Sequence, residues 1–229
     1  MILIEGAMEE EITYFLSILE ESEKKIIAGY EFYEGKIKNK RVVISKTLVG
    51  TLNATIATTI AILNYEISMV INQGIAGSHC LDLHIGDIVI GETCRNVNAY
   101  KMPIKEKGEG SNSLEWKLNK RALEIKKADT KLVTIFEENL FSSGKIVKGT
   151  LGSGDVFNRE YDRIMWLQET FQNLSEDMES IGCYTVCEKF LIPCIGIRVI
   201  SNNELLGESI DKRVALELQK NVAAVLEVL

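Results

Sequence analysis

The chain predicts a single α/β domain, residues 1–229, with a central, largely parallel sheet covered by helices on both faces. Three observations carry this. Short strand-like runs alternate with helical patterns along the whole chain, the rhythm of βαβ units. The runs at 1–6 and 195–200 read as strands buried on both faces, as a parallel sheet requires. With only two prolines and no low-complexity stretch there is no linker at which to divide the chain, and its length suits one large domain.

Residues 1–6 open the chain as an apolar strand, and a helix is expected to follow. Its first turn is Glu9-Glu10-Glu11, and its apolar side carries Ile12, Phe15, Leu16 and Leu19. Carboxylates in a first turn suit the helix dipole. Segments 30–37 and 41–46 form a hairpin around Lys38-Asn39-Lys40. Residues 51–65, uninterrupted by Gly or Pro, form a helix, and 68–72 and 87–91 form strands. The spacing then predicts an amphipathic helix over 114–127, a strand over 145–151, a helix over 159–172 and a short strand over 175–178. A helix over 179–190, a strand over 194–201 and a terminal helix over 211–228 complete the order.

A formal charge of −7 disfavours nucleic acid or an anionic membrane as the main partner. No apolar run reaches the roughly 18 residues of a membrane-spanning helix. Met1-Ile2-Leu3-Ile4 is too short for a signal peptide and lacks a basic flank. The five cysteines lie near apolar or strand-like segments, and Cys183-x3-Cys187 matches no metal or redox spacing. They read as buried free thiols in a reducing cytoplasm. His79, Cys80 and His84 lack the carboxylate or thiol partners of a metal site, so neither metal nor cofactor is expected.

In such sheets ligands bind beyond the carboxyl ends of strands, which makes each strand exit worth reading for chemistry. The exits are Gly6-Ala7-Met8-Glu9-Glu10-Glu11, Thr47-Leu48-Val49-Gly50-Thr51, Asn72-Gln73-Gly74-Ile75-Ala76-Gly77, Gly152-Ser153-Gly154-Asp155-Val156-Phe157 and Asp177-Met178-Glu179, with Asn202 closing the set. Small residues let backbone approach a ligand, Phe157 offers a face for a flat heterocycle, and Glu11 and Glu179 can act on hydroxyls or water. Each also has a plain structural reading. Both glutamates stand at helix starts, the glycines turn the chain, and Phe157 fills core.

Taken together and in order, these motifs resemble a family. GAMEEE after the first strand, NQGIAG near 72, IGDIVIGE at 85–92, GSGDVF at 152–157, DMES at 177–180 and IRVISN at 197–202 look like the methylthioadenosine/S-adenosylhomocysteine nucleosidases of the purine and uridine phosphorylase superfamily. The resemblance spans nearly the whole chain and weakens between about 95 and 141. It implies a three-layer α/β/α sandwich around a mixed, partly barrel-like sheet, and a homodimer acting on a small purine nucleoside. It also implies roles. Glu11 resembles the residue that activates the attacking water, and Glu179 the one that binds the ribose 2′- and 3′-hydroxyls, with Met178 beneath the sugar. Phe157 resembles the aromatic that stacks on the purine, Val49 the apolar residue near the 5′ substituent, and Ala7 belongs with these substrate-binding positions.

One corner departs from the pattern. Where the nucleosidases carry an aspartate that gives a proton to purine N7, this chain has Asn202, and Ile75 stands where they have a small serine. An amide donates and accepts hydrogen bonds but transfers no proton. Three readings stay open: an adenine-specific enzyme whose acid lies elsewhere, with Glu204 nearby; a 6-oxopurine nucleosidase or phosphorylase; and a nucleoside-binding relative with weak catalysis. Hydrolysis is favoured over phosphorolysis. The loop after the first strand offers three glutamates and no arginine, a costly neighbourhood for a phosphate dianion.

Overall fold

The computed structural model describes residues 1–110, 112–119 and 124–229. Strand β1 (Ile2–Gly6) lies between β4 (Lys40–Lys46) and β5 (Met69–Ser78), parallel to both. All five residues of β1 are buried, as its unbroken apolar run requires. Beyond β4 the sheet continues antiparallel through β3 (Tyr30–Ile37) to an edge strand, β2 (Glu20–Ile27). The β3–β4 turn is Lys38-Asn39, both with φ near +60° (50° and 64°), the geometry of a tight two-residue hairpin.

On the other side β5 pairs in parallel with β12 (Cys194–Asn202), which runs antiparallel to β6 (Ile88–Asn96). Strand β6 pairs in parallel with β10 (Ile146–Ser153), and β10 with β11 (Asn173–Asp177). The far end of β5 then pairs with β11, Gly77 opposite Glu176. Five strands, β5, β12, β6, β10 and β11, therefore close on themselves, while β1 to β4 extend from the ring as an open sheet. The largely parallel sheet read from the residues is in fact mixed, and the barrel-like sheet implied by the resemblance is present. Register shifts within β10 and near the end of β12 are the bulges expected at a barrel rim.

Helices α2 (Thr51–Asn64) and α5 (Ser180–Phe190) pack on each other. Helix α6 (Val214–Val225) packs against α1 (Thr13–Ser17), β5 and β12. Strand β12 is buried along its whole length, with α5 and α6 both against it. Helix α4 (Tyr161–Phe171) covers β11.

Several elements differ from expectation. The helix after β1 is a 3-10 turn, Glu9–Glu11, followed by the single short α1. The chain then turns into β2, whose charged residues point to solvent and pair across the strand gap, Lys24 with Glu31 at 2.8 Å and Lys36 with Glu21 at 2.8 Å. Charges blunt an edge strand, and here they hid it. The helix expected over 114–127 is not present; residues 120–123 of it lie outside the described residues. Ser113–Glu115 forms a 3-10 turn, β8 (Lys117–Leu118) pairs with β7 (Tyr100–Lys101), and β9 (Ile125–Lys127) pairs with β6. Pairing and the ring contact of Trp116 with Tyr100, 5.3 Å between centroids, override the local helical spacing. Helix α3 (Thr130–Asn139) is unforeseen, although Asp129 caps it by accepting from the N–H groups of Lys131 and Leu132.

A tyrosine locks β6 to β12. Gly91 and Gly196 face each other in the register, and Tyr184 of α5 places its hydroxyl over the pair, donating to Gly91 O at 2.6 Å and accepting from Gly196 N at 2.8 Å. A Cβ on Gly91 would come within 2.9 Å of that hydroxyl, so the approach depends on both glycines. Tyr184→Phe leaves two buried backbone groups unpaired and should cost about 1–3 kcal/mol. A urea titration should show a lower midpoint at unchanged slope; an unmoved midpoint would mean the hydroxyl ties nothing together.

Candidate active site

The 3-10 turn after β1 turns Glu11 inward, where it is 3% exposed. Its Oε2 accepts from the backbone N–H groups of Ala7 at 2.7 Å and Met8 at 3.0 Å, and its Oε1 from that of Ile75 at 2.8 Å. The first two bonds make it a cap of its own turn, the structural reading; the third reaches across to β5 and fixes the carboxylate in space. A Cβ on Gly74 would lie 2.5 Å from Oε1, so a glycine is needed there for the carboxylate to fit. Burial raises the Glu11 pKa; the Ile75 N–H and the Arg198 charge oppose the rise.

Glu179 stands at the junction of β11 and α5, 9% exposed. It accepts from Gly50 N at 3.1 Å and Met178 N at 3.3 Å. Burial, then the charges of Asp177 and Glu11, push its pKa up to about 8, against the pull of Arg198. The Val49–Gly50 loop is itself held by Asp155 of GSGDVF, which accepts from Thr51 N at 2.7 Å and from Thr51 Oγ1. Two motifs far apart in sequence thus brace one wall.

Glu11, Val49, Ile75, Phe157, Met178, Glu179, Asn202 and Ala7 all line one cavity of about 200 Å³. Every site residue named from the sequence is brought there. Val49 and Phe157 are half open to solvent (46% and 48% exposed), as residues at a mouth are. The Arg159 guanidinium carbon lies 5.8 Å from the Phe157 ring centroid.

Asn202 is 2% exposed. Its Oδ1 accepts from Ser201 Oγ at 2.9 Å and its Nδ2 donates to Glu204 Oε1 at 3.3 Å. Glu204 is also paired to Arg159 Nε at 3.1 Å. The small hydroxyl on the amide therefore comes from Ser201, while Ile75 contributes its backbone N–H to Glu11.

Sequence reading passed over Arg198 and Glu176, and gave Asp177 no role beyond its place in a strand exit. Arg198 is 1% exposed in the middle of β12. It donates from Nη1 to Asn72 O at 2.9 Å and from Nη2 to Ser180 Oγ at 2.8 Å and to Asn72 Oδ1, and its Nε lies 3.0 Å from Asp177 Oδ2. Asp177 in turn accepts from Ser153 Oγ at 2.7 Å and from the N–H groups of Glu179 and Ser180, both at 2.9 Å. An arginine inside an otherwise apolar run was the available signal. Lys212 also lines the cavity, with its amine 3.2 Å from Glu10 Oε1. Among the described residues there is no group of three or more His, Cys, Asp or Glu placed to hold a metal ion, and no helix is long and apolar enough to cross a membrane.

A closed ring of strands whose cavity is lined by four buried carboxylates and a buried amide, with an aromatic at its mouth, is a mixed α/β fold built around one small-molecule site. The chain belongs to the phosphorylase superfamily, whose model matches residues 1–229. Its membership extends to the family of 5'-methylthioadenosine/S-adenosylhomocysteine nucleosidases. Such a nucleosidase from Bacillus licheniformis is 33% identical over 208 residues, covering 88% of this chain and 85% of the relative. Among solved structures, the nucleosidase of Neisseria meningitidis in complex with methylthio-immucillin-A aligns with a TM-score of 0.84 at 23% identity, over 100% of this chain and 99% of that one. A mutant futalosine hydrolase of Helicobacter pylori aligns with a TM-score of 0.84 at 24% identity, over 100% and 99%. These two likenesses show the fold.

Removing the buried cation tests what supports the site. Arg198→Met leaves Asp177 charged and uncompensated and should cost about 3–5 kcal/mol. Lys220→Met, which breaks the exposed Lys220–Glu217 pair, should cost about 0–1 kcal/mol. Equal losses in urea titration would show that the buried pair is no more than another surface contact.

Proposed function

We propose that the protein is a purine nucleosidase that hydrolyses the N-glycosidic bond of 5′-substituted nucleosides of the methylthioadenosine and adenosylhomocysteine type, with adenine or its 6-oxo counterpart as the base that leaves. The observation that carries this is Glu11, a buried carboxylate fixed by three backbone N–H groups in the same cavity as Glu179. In this reading Glu11 takes a proton from a water that attacks C1′ as the C1′–N9 bond breaks. Holding the water against an oxocarbenium-like centre removes most of the entropic cost of bringing it there. Glu179 binds the vicinal ribose hydroxyls, Met178 packs beneath the sugar, Phe157 stacks on the base, and Val49 meets the 5′ substituent. Ala7 and Ile75 hold Glu11 through their N–H groups. Asn202 hydrogen-bonds the departing base but transfers no proton, so the base draws its proton from water.

Water rather than phosphate as nucleophile is supported by the cavity lining. Among the described residues it holds four carboxylates and no arginine, and its lysine, Lys212, is paired with Glu10. We also infer a homodimer, supported by the exposed Leu48, Val49, Leu52, Ile56 and Leu63 on and beside α2, and a cytoplasmic location, supported by five free cysteines.

Glu11→Gln should lower turnover by about 10²–10⁴-fold. Glu11 must be ionised to take the proton and its pKa is raised by burial, so the rate should be full above that pKa and fall as pH drops through it. The acid limb of kcat/KM should lie above the usual carboxylate range; a profile flat through that range removes Glu11 from the mechanism. Free sugar should appear at the same rate with and without phosphate, and a sugar 1-phosphate as main product would overturn hydrolysis. Sedimentation should give twice the 25.6 kDa of the chain; a monomer would leave the α2 face unexplained.

A further inference from the structure

Of the four carboxylates lining the cavity among the described residues, Glu11 and Glu179 have parts above and Asp177 is taken up by Arg198. Glu176 has no part in the reaction. It is 7% exposed at the end of β11. Asn158, next to the stacking Phe157, donates to it twice: backbone N–H to Oε1 at 3.1 Å and Nδ2 to Oε2 at 2.6 Å. His79 Nε2 lies 3.5 Å from Oε2. An ionised carboxylate has about four acceptor positions, so capacity remains toward the cavity that Glu176 lines.

The register places this group. Glu176 of β11 and Asn202 of β12 are both opposite Gly77 of β5, one strand to each side. Their backbones are therefore about two strand spacings apart, roughly 10 Å, and their side chains bound the same cavity. An acceptor-only group and an amide thus face one another across the space beside Phe157.

We propose that Glu176 and Asn202 together select a 6-oxopurine over adenine, Asn202 donating from Nδ2 to O6 and Glu176 accepting from N1–H. This rests on the reading of the cavity as a purine nucleoside site. A 6-oxopurine presents an acceptor, O6, beside a donor, N1–H; adenine presents the reverse, a donor at N6 and an acceptor at N1. An ionised Glu176 set against adenine N1 brings lone pair to lone pair. The Asn202 amide does not turn freely to suit adenine, because its Nδ2 donates to Glu204 Oε1, which a turned amide would meet with its own oxygen; the single Ser201 hydroxyl hydrogen is shared between Asn202 Oδ1 and Ala76 O. One Nδ2 hydrogen remains for the ligand.

Burial, with the Asp177 charge adding and the Asn158 bonds and Arg163 opposing, raises the Glu176 pKa to about 7. Buried His79, depressed to about 4, is neutral through that range, and Tyr100, raised to about 12, is neutral as well. Below its pKa a protonated Glu176 can donate to adenine N1; above it, Glu176 only accepts. Discrimination against adenine should therefore grow as pH rises.

The test compares 5′-methylthioinosine with 5′-methylthioadenosine by kcat/KM, and free hypoxanthine with adenine by calorimetric titration. At about pH 8 the 6-oxopurine member of each pair should be favoured about 10- to 100-fold, and the preference should shrink toward about pH 6. Glu176→Gln, whose amide can offer either a donor or an acceptor, should remove most of the preference and its pH dependence. The native pH series decides the matter even if that variant does not fold. Tighter binding of adenine at the higher pH, or a preference that neither pH nor Glu176→Gln alters, overturns the proposal. If neither nucleoside is cleaved but hypoxanthine still binds the tighter, the nucleosidase reading fails and the base assignment stands. If methylthioadenosine is cleaved and adenine binds the tighter, the reverse holds. Binding of neither base sinks both.

Discussion

The buried guanidinium of Arg198 is the constraint around which the molecule is arranged. Its two amine nitrogens and its Nε reach Asn72 on β5, Ser180 on α5 and Asp177 on β11. Asn72 passes the connection on, donating to Glu5 Oε2 at 3.0 Å, and Glu5 Oε1 accepts from Thr58 of α2 at 2.7 Å. One polar chain thus runs from β12 through β5 and β1 to α2. Burying ions costs several kcal/mol each, and the gain is positional. The network leaves few ways to seat Asp177, and Asp177 in turn holds the backbone of Glu179 and Ser180.

That cation also sets the electrostatic balance of the cavity. Glu11, Glu176 and Glu179 all have pKa values raised by burial, and Arg198 is the buried positive charge that opposes the rise for Glu11 and Glu179. Carboxylates crowded in a low-dielectric space oppose one another's ionisation. The charge of Asp177 adds to the rise of both Glu176 and Glu179, and that of Glu11 adds to the rise of Glu179.

Much of this was legible in the residues. The strand-exit rule led to every named site residue, because each motif joins a readable strand to a turn or helix, and the family resemblance then ordered them. What escaped did so for physical reasons. Strand β2 carries the charges of a solvent edge and no apolar alternation. Segment 114–127 has helical spacing that its strand pairings override. Glu176 sits one residue before a readable motif, and only closure of β11 onto β5 turns it into the cavity opposite Asn202. Arg198 was readable, since an arginine in an apolar strand demands a buried partner, but the partner Asp177 lies outside local sequence reach.

The closed ring of strands also bears on how the chain reaches its native state. β5 must wait for β11, about a hundred residues later in the chain, to complete the ring, and β12 must then slot between β5 and β6. Such pairings between distant segments make the search slow, because the loop-closure entropy is lost before the contacts form. During synthesis the β1 to β4 half has its strands adjacent and can assemble early. The cavity has no counterpart in that half, since its walls meet only when the last strand arrives.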